Sequence, residues 1–203
     1  LFRTFPQTDS ALITGLLLFF LFWPTTDGVQ LGWIALAALA ATASKYLLVW
    51  RRRHIFNPAA VGAFAMGVTG LNAPVWWVAA PLMLVVVIPA ALLVLYRSRL
   101  LPMAGVFVAV AAGIVTLRFA AAGEPVLEGL ATAFTSYPVL FFAGFMLSEP
   151  LTLPPLRWQR LAEAAVVGVL FAVPLSVGPV FMSPELALLV GNLLAFAAGQ
   201  RGG

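Results

Sequence analysis

Two short stretches rich in proline hold most of the side chains that could do chemistry, and the first covers residues 54–60. It reads His-Ile-Phe-Asn-Pro-Ala-Ala, so Asn57 is followed directly by Pro58. This pair favours a helix start, because the amide caps free backbone N–H groups and proline suits the first helical position. Such a helix end carries partial positive charge and can face an anionic or carbonyl-rich ligand. The alternative is that Asn57 is a structural cap only.

The second stretch covers residues 148–155 and reads Ser-Glu-Pro-Leu-Thr-Leu-Pro-Pro. Its three prolines within six positions exclude a regular helix and favour a rigid, extended connection. An unpaired carboxylate at a membrane edge is costly. We therefore expect Glu149 to pair with Arg157, Arg160 or the arginines at 51–53. The alternative is a rigid loop with an ordinary surface ion pair.

The composition limits what kind of protein carries these stretches. Hydrophobic residues make up 63% of the 203 positions, charged residues 9%, and the mean hydropathy is +1.05. Soluble domains carry roughly 25% charged residues, so the chain is predicted to be an integral membrane protein. This excludes a soluble enzyme and a nucleic-acid binder. The absence of cysteine and the single histidine exclude thiolate-bound clusters and metal sites built from several histidines.

The hydropathy pattern predicts an all-α, polytopic bundle of about eight membrane segments, forming one domain over residues 1–203. A crossing needs about 20 apolar residues, so the segments near residues 9–23 and 56–70 are short. Short or interrupted helices often line a central site in membrane bundles, although a tilted bundle with local thinning is an equal alternative. The apolar stretches cover residues 9–23, 29–49, 56–70, 75–95, 101–121, 128–147, 162–181 and 185–200.

The distribution of basic residues predicts that both termini are cytoplasmic. With eight crossings, ten basic residues fall on the inner side and only Arg118 on the outer side, as the positive-inside rule requires. Residues 51–53 are then an anchor, or alternatively a contact for a flavin phosphate or an anionic lipid. The inner residues are Arg3, Lys45, Arg51, Arg52, Arg53, Arg97, Arg99, Arg157, Arg160 and Arg201.

We expect no ionisable residue within a span except Lys45 and Arg118, both near span ends. Pumps usually place carboxylates in the membrane, so this pattern disfavours ion pumping through acidic side chains. The two proline-bearing stretches occupy equivalent places if the chain is divided into four plus four segments. This indicates an internal duplication, and if the repeats are inverted, one short stretch is re-entrant.

In order and spacing, the two stretches resemble the RnfD/NqrB-like family of membrane subunits. Its members belong to the Rnf electron-transport complex and to the sodium-translocating NADH:quinone reductase. They carry a His/Asn-x-Phe-Asn-Pro-Ala box before a short helix, and a Thr-Asp-Pro-Val-Thr-x-Pro stretch after a later span. Residues 54–60 and 148–154 are similar to these motifs, with basic residues following at 157 and 160. Only about fifteen residues match closely.

The resemblance implies a fold similar to urea transporters, a bacterial cytoplasmic (inner) membrane, and a flavin, either FMN or riboflavin. Cofactor-binding residues carried over from the motifs are His54, Phe56, Asn57, Ser148, Glu149 and Thr152. The family attaches FMN covalently to threonine in Ser-Gly-Ala-Thr, which this chain lacks. Thr132 in Gly-Leu-Ala-Thr matches only in part, so we expect a noncovalent flavin and keep covalent attachment at Thr132 as the alternative.

These observations predict a membrane electron-transfer subunit. It would accept electrons from a cytoplasmic flavin reductase domain or subunit and pass them to a quinone or an outer acceptor. Asn57 and Thr152 would hydrogen-bond the flavin, and Glu149 would orient the basic cluster. The glycine-rich end at residues 199–203 would suit a following reductase domain or a soluble partner. The alternatives are a small neutral-solute channel or transporter on the same scaffold, and a structural anchor for a reductase; membrane lipid is a partner in each case, and oligomerisation stays open.

Overall fold

The computed structural model describes residues 8–51, 53–178 and 180–200, and most of these residues are helical. The predictions that concern Arg3, Arg52 and residues 201–203 lie outside the described residues. Two hairpins join β1 (Val49–Trp50) to β2 (Arg53–His54) and β3 (Ser176–Val177) to β4 (Val180–Phe181). The helices are α1 (Thr8–Leu21), α2 (Gly28–Leu47), α3 (Pro58–Thr69), α4 (Leu84–Ser98), α5 (Leu101–Ala121), α6 (Val126–Thr135), α7 (Val139–Phe141), α8 (Arg157–Ala172) and α9 (Pro184–Gln200).

Within the described residues, two helical segments are long and apolar enough to cross a membrane, Pro81–Ser98 and Leu101–Ala121. A third would be the bent pair Val126–Thr135 and Val139–Met146, whose two parts meet at 55°. At about 1.5 Å per residue, α5 alone is about 31 Å long, the thickness of a hydrocarbon core. Many large apolar side chains are exposed, among them Leu82 and Val85 on the α4 side. An exposed apolar surface of this extent suits lipid rather than water.

Each predicted apolar stretch contains helix, but prolines move three sets of boundaries. The stretch predicted at 162–181 begins earlier, at Arg157, and its helix ends at Ala172 because Pro174 disfavours helical geometry at the residue before it. The stretch at 128–147 breaks at Pro138 between α6 and α7. The stretch at 75–95 starts with two 3₁₀ turns, Trp77–Ala79 and Pro81–Met83, before α4.

Close helix packing holds the bundle together. Helix α5 packs on α6 and α8, α2 packs on α3, and α9 packs on both α8 and α3. Gly62 is required where α3 meets α2, because a Cβ there would overlap the backbone carbonyl of Ala37. In the interior, the ring of Phe107 stacks on Phe142 at 5.0 Å and meets Phe171 edge-on at 5.3 Å. This packing fixes α3, α8 and α9 around the residues described next.

Candidate functional site

A cavity of about 730 Å³ lies at the amino-terminal end of α3. Its wall includes Asn57 from the first proline-bearing stretch and Ser148 and Glu149 from the second. Helix α1 adds Ser10 and Thr14. We call it the motif cavity, because residues about ninety positions apart in the sequence meet in its wall. Most of its remaining surface is apolar, including Leu17, Pro58, Val94 and Phe145.

Asn57 links three parts of the chain at this cavity. Its side-chain Oδ1 accepts from the backbone N–H of Ala60 at 3.1 Å, which is the predicted helix cap. Its Nδ2 donates to the carbonyl of Met146 at 3.1 Å, and its own backbone N–H donates to Oδ1 of Asn192 at 2.8 Å. The side chain is 1% exposed. Asn57 therefore caps α3 and also joins α3 to the segment before Ser148 and to α9.

Arginine side chains fix the second stretch by binding its carbonyl groups. Arg53 Nη2 donates to the carbonyls of Pro150 at 3.2 Å and Leu153 at 2.6 Å. Arg160 donates through Nε to the carbonyl of Pro154 at 2.9 Å and through Nη2 to that of Pro155 at 3.2 Å. Proline carbonyls are free to accept because the rigid loop forms no ladder or helix. The loop is thus tied both to the β1–β2 hairpin and to α8.

Among the described residues, no arginine pairs with Glu149, and Arg52 of the expected set lies outside them. The Oε2 of Glu149 is buried without a hydrogen-bond partner in the described part of the chain. Burial raises the pKa of Glu149 to about 7, and the positive charge of Lys45 partly opposes this rise. The Lys45 ammonium donates to the carbonyl of Ser10 at 2.8 Å and to its Oγ at 2.9 Å. Among the described residues, Lys45 is therefore the cation that acts on Glu149. Glu149 does not orient the described arginines.

Three of the other predicted site residues belong to the motifs but not to the cavity wall. His54 lies in the β1–β2 hairpin, where burial and then Lys45 lower the pKa of its imidazole. Phe56 is half-buried beside it. Thr152 is buried and donates through Oγ1 to the carbonyl of Glu149 at 3.1 Å. These residues support the loop and the hairpin, and among the described residues none of them lines the motif cavity.

Thr132 lies apart from all of these residues. It is on α6, a helix that packs on α5 and not on α3 or the loop at 148–155. Its side chain is half-buried. The structure therefore does not bring Thr132 to the motif cavity.

The predicted apolar stretches at 162–181 and 185–200 contain two buried carboxyl groups, which the expectation of no ionisable residue besides Lys45 and Arg118 overlooked. Glu163 on α8 is 5% exposed and Glu185 at the start of α9 is 1% exposed. Asn192 on α9 is fully buried. Their spacing held a signal, because Glu185 and Asn192 are seven residues apart and so share one helix face. Glu185 and Asn192 therefore placed two polar groups on one face of a mainly apolar helix, a pattern that was readable from the sequence.

A second cavity of about 290 Å³ lies at the other end of α3, and we call it the distal cavity. Its wall includes Phe64, Gly67, Trp76 and Glu185. The indole N–H of Trp76 donates to Oε1 of Glu185 at 2.6 Å. Trp76 has a left-handed backbone with φ of 50°, which is unusual for a bulky residue. The two cavities thus lie toward opposite ends of α3, and the nearest residues of their walls on this helix, Ala59 and Phe64, are five positions or about 8 Å apart.

Residues Phe142–Met146 form a π-helical turn in the wall of the motif cavity. Gly144 of this turn lies against α4, where a Cβ would come 2.5 Å from the Cβ of Ala91. Single π-helical turns are frequent at functional sites. Aromatic rings continue from the turn toward the distal cavity. The ring centroids of Phe145 and Phe141 are 5.1 Å apart, and those of Phe141 and Trp76 are 6.4 Å apart.

Comparisons of the chain with protein-family models, with curated proteins and with solved structures gave no match. Among the described residues, no group of three or more histidine, aspartate or glutamate side chains could hold a metal ion. The chemistry of the motif cavity is therefore inferred from its own residues.

Proposed function

We propose that the motif cavity binds a flavin noncovalently, and that the chain is a membrane electron-transfer subunit of the type its motifs resemble. The proposal rests on the observation that the two stretches similar to the family motifs both line one cavity. The bond from Asn57 Nδ2 to the Met146 carbonyl joins the first stretch to the residues just before the second, and Arg53, which precedes the first stretch, donates to the carbonyl of Leu153 in the second. Two sequence motifs with unrelated roles would not be expected to line the same cavity.

The size and lining of the cavity suit FMN or riboflavin. Pockets for ligands of this size measure about 300–1,000 Å³ and combine a mainly apolar wall with a few placed polar groups. The motif cavity has this volume, and Asn57, Ser148 and Glu149 supply the polar groups. The apolar wall would exclude water from the ring system, while the flavin itself would supply the redox chemistry.

The charges near the cavity favour a ligand that becomes more negative. A flavin gains negative charge on reduction, and a nearby cation tunes its potential. Lys45 holds Ser10 in the cavity wall through two hydrogen bonds. Glu149 is neutral over part of the physiological pH range, because its pKa is raised to about 7. A protonated Glu149 therefore adds no negative charge to the wall, in which Asp9 on α1 is the other carboxyl group.

The aromatic contacts support a route away from the flavin. Phe145 lines the motif cavity, Trp76 lines the distal cavity, and Phe141 lies between them. Tightly packed side chains shorten the gaps that a tunnelling electron must cross. Electrons would enter from a cytoplasmic flavin reductase domain or subunit and leave through this cluster to a quinone or an outer acceptor.

The proposed topology is a polytopic bundle of eight membrane segments, similar to urea transporters, in the bacterial inner membrane with both termini cytoplasmic. Helix α3 is the short, capped segment of this arrangement, and the bent pair α6–α7 is either a broken span or a re-entrant loop. The arginines at 53, 97, 157 and 160 would then lie at the cytoplasmic edge, next to the motif cavity.

A pair of matched substitutions tests flavin binding. Ile13 lines the motif cavity and is 58% exposed, whereas its neighbour Leu12 is 66% exposed and does not line the cavity. Ile13→Trp would fill the cavity, and Leu12→Trp would add the same bulk to the surface. The measurement is the visible absorbance of detergent-purified protein before and after acid precipitation, followed by titration with riboflavin and FMN.

We expect flavin in the supernatant of the wild type and of Leu12→Trp, and strongly reduced flavin in Ile13→Trp. A well-folded wild type that is colourless and binds neither flavin would refute the proposal. Equal flavin content in the two tryptophan variants would refute the assignment to the motif cavity.

The second candidate is a channel or transporter for a small neutral solute, and the two cavities favour it. The motif cavity and the distal cavity lie at opposite ends of α3, as expected for a substrate path interrupted by a short helix. Liposome swelling with neutral solutes distinguishes this function. Swelling that Ile13→Trp blocks and Leu12→Trp does not would support conduction through the motif cavity, whereas liposomes that do not swell would exclude the solutes tested.

A further inference from the structure

The buried carboxyl group of Glu163 has no role in the proposed flavin site. It lies six residues into α8, about 9 Å from the first residue of the helix. Both carboxyl oxygens are buried and have no hydrogen-bond partner among the residues that the structure describes. An isolated carboxylate in an apolar interior is costly and normally takes up a proton instead. A carboxyl group that is kept despite this free-energy cost is a candidate for a functional role.

Among the described residues, the charge that acts on Glu163 is that of Arg160, and it is shared with other groups. On its own helix, Arg160 is one turn away, but its Nε and Nη2 donate to the carbonyls of Pro154 and Pro155. The only ionisable residue of α5 is Arg118, and its Nη1 donates to the carbonyl of Ala172 at the far end of α8. The only ionisable residue of α9 is Glu185, seven positions and about 10 Å before Asn192.

Asn192 connects Glu163 to the motif cavity. Its side chain neighbours the carboxyl group of Glu163, and its Nδ2 is buried without a partner within the described residues. Its Oδ1 accepts the backbone N–H of Asn57 at 2.8 Å. The side-chain amide of Asn192 thus lies between the carboxyl group of Glu163 and the residue that begins α3. A change in the charge of Glu163 changes how strongly its carboxyl oxygens attract Nδ2, because an ionised acceptor forms stronger hydrogen bonds than a neutral one, and with it the position of the amide that holds Asn57.

A small, mainly apolar cavity adjoins Glu163. It has a volume of about 130 Å³, and its wall includes Gln159, Glu163 and the exposed residue Trp158. A water molecule occupies about 30 Å³ of liquid, so the cavity is large enough for a few waters. It lies between the first two turns of α8 and the last part of α9, and it is separate from the motif cavity in its lining.

We propose that Glu163 is a proton-binding site, and that its protonation is coupled through Asn192 and Asn57 to the shape of the motif cavity. The proton enters as H⁺ from water in the small cavity and converts the carboxylate to the neutral acid, without any redox partner. The neutral acid suits the apolar interior, whereas the carboxylate attracts Nδ2 of Asn192 and strains its bond to Asn57. Protonation therefore favours the arrangement of α3 in the structure, and deprotonation alters the cavity wall at Asn57. This inference uses the motif cavity but does not depend on a flavin being its occupant.

Infrared difference spectroscopy of the full chain in lipid tests the proton site. Raising the pH should remove a carboxylic C=O band that belongs to Glu163. Glu163→Gln should abolish the band, and Glu163→Asp should move it. Glu128→Gln is the matched control, because Glu128 is exposed on α6 and its substitution should leave the band unchanged. If the wild type has no pH-dependent carboxyl band that Glu163→Gln or Glu163→Asp alters, the proton site is refuted.

A single introduced cysteine tests the coupling, since the chain contains no cysteine of its own. Ser148→Cys places a thiol in the wall of the motif cavity, where a maleimide reagent reports access. The labelling rate is compared at each pH with that of Ser148→Cys in the Glu163→Gln background, so the ionisation of the thiol cancels. We expect the ratio of the two rates to change by about fivefold or more across the titration of the carboxyl band, as is typical of coupled sites.

A ratio that stays constant with pH would refute the coupling, even if the carboxyl band confirms the proton site. Neither measurement contains flavin. Failure of flavin binding therefore refutes the proposed function only, and failure of the band or of the labelling ratio refutes this inference only.

Discussion

Replacing Asn57 by alanine should destabilise the chain more than the loss of an ordinary helix cap. The substitution removes two bonds of 3.1 Å, one from the Ala60 N–H and one to the Met146 carbonyl. Loss of an N-cap costs about 1 kcal/mol, and leaving a buried carbonyl without a donor costs about 1–3 kcal/mol. The expected loss in the free energy of unfolding is therefore about 2–4 kcal/mol.

Asp27 provides the matched control, because it performs the same local task at an exposed site. Its Oδ1 accepts the N–H of Gln30 at 2.8 Å at the start of α2. Asp27→Ala should cost only the cap, about 1 kcal/mol. Asn57→Ser separates the two contributions at the buried site, because serine is also a good cap but does not reach Met146. It should lose about 1–3 kcal/mol, from the Met146 carbonyl alone.

The assay is equilibrium unfolding in mixed micelles, followed by tryptophan fluorescence, with each variant compared to the wild type under the same conditions. If Asn57→Ala costs no more than Asp27→Ala, the bond to Met146 does not contribute to stability. The reasoning that joins the two proline-bearing stretches through Asn57 would then be refuted. If Asn57→Ser is as stable as the wild type, the contribution assigned to the Met146 carbonyl is likewise wrong.

Three other positions, Glu149, Gly144 and Thr132, give further predictions. Burial raises the pKa of Glu149 from 4.5 to about 7, so the folded chain binds this proton more tightly than the unfolded chain. The free energy of unfolding should therefore fall by up to about 3 kcal/mol as the pH rises from 4.5 to 7. Unfolding titrations across this range check the slope, and Glu149→Gln should flatten it; an unchanged slope in that variant would assign the titration to another group. Gly144→Ala should destabilise the chain by about 1–3 kcal/mol, because the new Cβ would come 2.5 Å from Ala91 Cβ. The control is Gly105→Ala, which has open space within 4 Å and should be neutral or stabilising by up to about 1 kcal/mol. Equal changes in unfolding free energy for the two variants would contradict the close contact between α4 and the π-helical turn. Thr132→Ala should leave the flavin content unchanged in the acid-precipitation assay, because Thr132 lies on α6 and does not line the motif cavity. If instead the wild-type pellet retains flavin and the pellet of this variant does not, the flavin is attached covalently to Thr132.

The sequence by itself determined the features that depend on near neighbours. A cap bonds to a backbone group three residues ahead, so Asn57 and Pro58 identified the start of α3, and Asn57 does accept from Ala60. The low fraction of charged residues predicted apolar helices, and proline identified the rigid loop at 148–155. The end of α8 before Pro174 was also available from local rules, although the predicted stretch ran past it.

Only the tertiary structure decided which side chains meet. Asn57 bonds to Met146 and to Asn192, which are 89 and 135 residues away in the chain. Spacing along a helix cannot predict such contacts, because they depend on how helices pack and rotate against one another. Helix packing also buried Glu163, which is 5% exposed. Local chemistry fixed the helices and their caps, whereas the cavities and the buried carboxyl groups arose from contacts between helices far apart in the chain.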